Sequence, residues 1–99
     1  MTEDNRLSKV AILVQQKKFT EAEKLLAELL GEEPNNIHLL SLLAEVNLQQ
    51  DKFDQANTLT DNAIGLSPDA PYLYYIKSRI AIQQDRLSEA EIHIHQAIE

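Results

Sequence analysis

The residues of this chain best suited to hold a metal ion are His93 and His95, and those best suited to acid–base work are Glu21, Glu23, Glu28, Glu32 and Glu33. Neither group has the geometry its chemistry needs. Side chains two apart on a helix point about 200° from each other, so His93 and His95 cannot share one ion. They read instead as i,i+4 partners of Glu89 and Glu91, pairs worth about 0.2–0.5 kcal/mol on a solvated face. The carboxylates also fall on a polar helix face, whereas acid–base catalysis needs two carboxyls held in unlike surroundings within one cleft. No Ser stands in a nucleophile-elbow context and no Gly-rich loop follows a strand. With no Cys there is neither thiolate chemistry nor a zinc ribbon, and Gly31 and Gly65 read as helix-end residues. The expectation is a protein that is not an enzyme, with no catalytic, cofactor or metal site.

Composition describes the framework such side chains would have to sit on. Ninety-nine residues make one domain, 1–99, and a chain of that length buries roughly 60–65% of its unfolded surface. Two Gly and three Pro leave little turn material for a many-stranded protein, while Leu, Ala, Glu, Gln and Lys favour helix, so the fold class is all-α. Sixteen acidic against nine basic residues give a net charge of −7, which opposes phosphate backbones and anionic lipid; no nucleic acid partner is expected. No apolar run approaches the roughly 18 residues of a membrane span, and no membrane insertion is expected. The opening residues, Met1 to Arg6, lack the basic and then apolar build of a secretory signal. Together with the missing cysteines, this predicts a cytoplasmic location.

One internal period dominates the chain. Gln15-Gln16-Lys17-Lys18-Phe19-Thr20-Glu21-Ala22 recurs as Gln49-Gln50-Asp51-Lys52-Phe53-Asp54-Gln55-Ala56 and again as Gln83-Gln84-Asp85-Arg86-Leu87-Ser88-Glu89-Ala90, at spacings of 34 residues. At that shift 15 of 65 aligned pairs are identical, against roughly 5 for a shuffled chain. Each unit holds two helical patterns broken at the Gln-Gln stretch. Thr20, Asp54 and Ser88 follow the break and predict N-caps, with Glu23 and Glu91 at capping-box spacing from Thr20 and Ser88. Pro34 and Pro68 stop the second helices. Six helices are predicted, at 5–17, 20–32, 36–50, 54–66, 70–84 and 88–99. The small residues Ala22, Ala56 and Ala90, with Val10, Ala44 and Ser78, allow close helix approach, and Leu26, Leu40, Leu43, Leu59, Tyr74 and Ile94 fill the space between.

A 34-residue helix-turn-helix with Ala early in the second helix, an aromatic before it and Pro at the unit's end resembles the tetratricopeptide repeat. The carrying residues are Ala44, Phe53, Ala56, Ala63 and Pro68 in the second unit, Phe19, Ala22 and Pro34 in the first, and Ala90 and Ala97 in the third. The chain departs from the family at its large aromatic early in the first helix, which is Arg6, Leu40 and Tyr74 here. The resemblance implies a right-handed α-solenoid with repeats at about 3–36, 37–70 and 71–99. The polar first unit reads as a cover for one end of the stack. The other end lacks a closing helix, which predicts the N-terminal part of a longer protein, or an end covered by another molecule.

In this family the first helices line a concave groove. By alignment the groove residues are Asp4, Leu7, Ser8, Ala11, Val14 and Gln15, then His38, Ser41, Leu42, Glu45, Leu48 and Gln49, then Tyr72, Tyr75, Ile76, Arg79, Ile82 and Gln83. The helix predicted at 70–84 therefore carries a surplus apolar stripe of Tyr72, Tyr75, Ile76 and Ile82, with Tyr a residue favoured at interfaces. Glu45 and Arg79 occupy equivalent places on adjacent helices and should form an ion pair. Relatives that hold acidic chaperone tails use Lys, Arg and Asn here, but the matching places carry Leu7, Ala11, Leu42, Tyr72 and Ile76. The implied function is a non-catalytic interaction module or scaffold for a protein partner, binding an apolar or amphipathic peptide or helix. The alternative is a structural array, a homo-oligomer that self-associates through its groove or its uncapped C-terminal face.

Overall fold

The computed structural model describes residues 5–98, and the groove position assigned to Asp4 lies outside them. Six helices follow in order: α1 Arg6–Gln15, α2 Phe19–Glu32, α3 Ile37–Gln49, α4 Phe53–Leu66, α5 Pro71–Gln83 and α6 Leu87–Ile98. Each packs on the next, and α3 also touches α5, so three helical hairpins stack into a body of 45 × 26 × 19 Å. This is the all-α repeat solenoid that the period predicts.

The turns inside the hairpins explain where the helix starts differ from expectation. After α1, Lys18 N–H donates to the Leu13 carbonyl and Lys17 N–H to that of Val14, the two bonds of a Schellman closure. Asp51 and Lys52, then Asp85 and Arg86, make the same pair of bonds after α3 and α5. Lys17, Asp51 and Asp85 accordingly sit at φ of 60°, 59° and 62°, the left-handed region. The closure delivers the chain straight into the next helix, which begins at Phe19, Phe53 or Leu87. Thr20, Asp54 and Ser88 therefore lie one residue inside the first turn rather than before it, and Lys18 and Lys52 hold the N-cap places of α2 and α4 without a side-chain cap bond. Asn36 does cap α3, its side chain accepting from Leu39 N–H at 3.2 Å. Glu33 and Ser67, each before a proline, leave the helical region at φ −134°, ψ 73° and φ −144°, ψ 78°, and end α2 and α4. Gly31 and Gly65 stay within the last turns of those helices without positive φ.

Two apolar clusters occupy the junctions between hairpins. One gathers Val10, Ala22, Leu26, Leu29, Leu39 and Val46; the other gathers Leu40, Leu48, Ala56, Ala63, Leu73, Ile76 and Ile80. Ala22, Ala44, Ala56 and Ala63 have no exposed surface, which is the close approach of helix axes predicted from their size. The fully buried hydroxyls of Thr60 and Ser78 donate to the Ala56 and Tyr75 carbonyls at 2.7 and 2.6 Å, so neither loses its hydrogen bond on burial.

Candidate functional site

The first helices of the two leading units face each other across a groove of about 450 Å³. Leu7, Ala11, Val14 and Gln15 of α1 form one wall, His38, Leu42, Glu45 and Gln49 of α3 the other, and Arg79 closes one end from α5. Val10 and Val46, which sequence reasoning assigned only to packing or left out, form part of the lining. Their signal was available: Val10 follows Leu7 by three residues and Val46 follows Leu42 by four, the spacings that continue one helix face. Ser41, placed on this face by alignment, is buried and donates to the His38 carbonyl at 2.9 Å.

Charge in the groove is internally paired. Arg79 Nη1 donates to Glu45 Oε2 at 2.9 Å, joining the equivalent places on α5 and α3. The Arg79 guanidinium also lies 5.8 Å from the Tyr75 ring centroid, within cation–π range. With its one cation engaged by one carboxylate, the lining presents mainly apolar surface and the amides of Gln15 and Gln49.

Leu48 and Ile76 are corrections to the groove assignment. Both are buried in the second apolar cluster, against Leu40, Leu73 and Ile80. Leu48 on α3 is covered from α4 and α5, and Ile76 on α5 from α3 and α4 of the preceding hairpin, which leaves a narrower concave face than alignment spacing alone suggests. Tyr72, Tyr75 and Ile82 are about half exposed but do not line the groove. The predicted stripe on α5 thus divides. Ile76 joins the core, the tyrosines remain on the surface, and Ile82 borders a separate shallow apolar surface with Leu87, Ala90 and Ile94.

Elsewhere the polar residues make structural contacts. His93 shares a hydrogen bond with Gln96 at 2.8 Å rather than pairing with Glu89, whose carboxylate lies 3.8 Å from Arg86. Arg6 grips Glu32 through two bonds of 2.7 and 2.8 Å, tying the start of α1 to the end of α2. Glu23 accepts from Gln50 and Lys52 across the first junction instead of closing a capping box. Among the described residues, no three His, Asp or Glu side chains gather where they could hold a metal ion. None of the described helices is long and apolar enough to cross a membrane.

A tetratricopeptide repeat profile matches residues 13–63, just over half of the chain, which takes in the α3 wall of the groove and Val14 and Gln15 of the α1 wall. The chain belongs to the tetratricopeptide repeat family. Among solved structures it is similar to the type III secretion translocator chaperone SycD of Yersinia enterocolitica, with a TM-score of 0.86 at 17% identity, covering 97% of this chain and 75% of that one. It is similar also to MamA from Desulfovibrio magneticus RS-1, with a TM-score of 0.85 at 16% identity, covering 94% of this chain and 52% of that one. MamA MSR-1 C2 superposes with a TM-score of 0.81 at 23% identity, over 93% of this chain and 53% of that one. The chain thus spans about half the length of these MamA structures. Among curated protein sequences no significant match is found.

Proposed function

We propose that this tetratricopeptide repeat chain is a non-catalytic interaction module that binds an apolar or amphipathic peptide, extended or helical, in the groove between α1 and α3. Membership of the family and likeness to a secretion chaperone support a protein-interaction scaffold in general. Such folds are typically non-enzymatic. The observation that carries the finer reading is the groove's lining: Leu7, Val10, Ala11, Val14, Leu42 and Val46 around a paired Glu45–Arg79. A ligand carboxylate finds no cation there that is not already engaged, so affinity must come from apolar burial, with Gln15 and Gln49 able to bond a peptide backbone.

Nuclear magnetic resonance titration tests this. A Leu-rich amphipathic helical peptide should shift amides of α1 and α3 around Ala11 and Leu42, and a scrambled peptide of the same composition should shift them less. Ala11→Arg, an exposed substitution that fills the groove, should remove the response while leaving the thermal melt unchanged. Shifts confined to the convex side around Leu43 and Leu59, or equal shifts with the scrambled peptide, would sink the reading.

A further inference from the structure

The two ends of the stack carry the residue types that join its interior hairpins. At the first junction Glu23 of α2 accepts from Gln50 Nε2 at 2.7 Å and from Lys52 Nζ at 3.1 Å. In the 34-residue register the counterpart of Glu23 at the far end is Glu91 on α6, and the counterparts of Gln50 and Lys52 at the near end are Gln16 and Lys18. All three are exposed. At the second junction Lys77 Nζ reaches Asp61 at 2.9 Å and Asn57 at 3.0 Å, and the end counterparts are Lys9 on α1 with His95 and Glu91 on α6.

The apolar surface follows the same register. Leu48, Phe53 and Ile64 pack into the cluster at the second junction, and their counterparts Ile82, Leu87 and Ile98 stand open at the α6 end. Leu87 is 64% and Ile98 74% exposed. At the other end Ile12, counterpart of the buried Val46 and Ile80, is 52% exposed. Charge then selects how the ends meet. Residues 1–18 hold four basic and two acidic side chains, whereas residues 85–99 hold one basic and four acidic. A basic end against an acidic end attracts, while two α6 ends brought together would oppose like charges.

We propose that copies of this chain associate head to tail, with α6 of one copy packed on α1 of the next in the manner of the interior junctions. Glu91 then holds Gln16 and Lys18 of the next copy, and Ile98 and Ile12 are covered together. The joined surfaces differ, so the contact is heterologous and extends rather than closing on itself. It is weaker than an interior junction, because Asn5 and Ser8 stand where Leu39 and Leu42, or Leu73 and Ile76, pack in the later units.

Sedimentation velocity over a hundredfold range of chain concentration tests this. The mean mass should rise past twice the 11.2 kDa of one chain and fall back as salt is added. Ile98→Glu and Ile12→Glu, both at open surface positions and checked for an unchanged helical spectrum, should each be monomeric alone. Mixed together they should form a one-to-one pair that grows no further, since each retains the surface the other has lost. Glu91→Lys should weaken association roughly tenfold, and mixing it with Lys18→Glu should recover the loss. A wild-type chain that stays at the monomer mass throughout would overturn the proposal. So would an Ile12→Glu chain that associates like wild type, the mark of two α6 ends pairing, or a mixture of the two Glu variants that stays monomeric.

Discussion

The two interior junctions share one register and are held by different means. In the first, Leu26 is fully buried among Leu29, Leu39 and Val46. In the second, the same place holds Thr60, equally buried, its hydroxyl turned back onto the Ala56 carbonyl of its own helix. The facing helix supplies what Thr60 lacks: Ile76 is buried where its counterpart Leu42 is only partly so. Ion pairs differ as well. Glu23 reaches the turn beyond α3 to find Lys52, while Lys77 bridges to Asp61 in mid-helix. The 34-residue period therefore dictates where small and large residues meet, and leaves each junction to find its own polar partners.

The contrast breaks most readily at Leu26. Leu26→Ala should destabilise by about 2–5 kcal/mol through lost burial and a residual cavity, lowering the melting temperature by roughly 10 °C or more. Thr60→Val keeps the shape and removes both the hydroxyl and its need for a partner, so its change should stay below about 1 kcal/mol. Equal losses in thermal melts would show that the two junctions are held alike.

Ala56→Leu comes next, at about 1–3 kcal/mol from overpacking between α3 and α4. Ala90→Leu should cost less, because among the described residues the hairpin of α5 and α6 is packed on one side only. A denaturant series comparing the two midpoints checks the order.

Smaller effects sharpen the comparison at the turns. Lys17→Gly relieves a left-handed residue and should raise stability by about 0.5–1 kcal/mol. Asp51→Gly should gain less, since Asp tolerates that conformation better. A loss of stability from Lys17→Gly would mean that the Schellman turn is not strained there.

The smallest predicted difference lies between the two lysines. Each →Ala change should cost about 0–1 kcal/mol. Lys77→Ala should cost more than Lys52→Ala, because its side chain is 16% rather than 39% exposed and therefore less screened. Melts of both variants at low and high salt would show whether burial sets that order.

Six helices were readable because prolines, Gln-Gln turns and recurring alanines mark every boundary to within two residues. The N-caps were misplaced for a local reason: Thr20, Asp54 and Ser88 have suitable side chains, yet a left-handed residue three positions earlier has already turned the chain into the next helix. In the groove, Leu7, Ala11, Val14, His38, Leu42, Glu45 and Arg79 fall together where the register puts them. Leu48 and Ile76 satisfy the same spacing and are core.

Periodic chemistry is written into the chain, since residues one unit apart meet equivalent neighbours, and so the number of helices, their hairpin pairing and the small-residue contacts follow from letters alone. Which of two apolar faces on one helix is covered does not, because covering depends on helices distant in sequence and on how closely they approach. Leu48 and Ile82 make the point as counterparts 34 residues apart: α5 packs its cluster over the first, and no described helix covers the second. Only the packed solenoid, by burying one and leaving the other half exposed, separates core from surface.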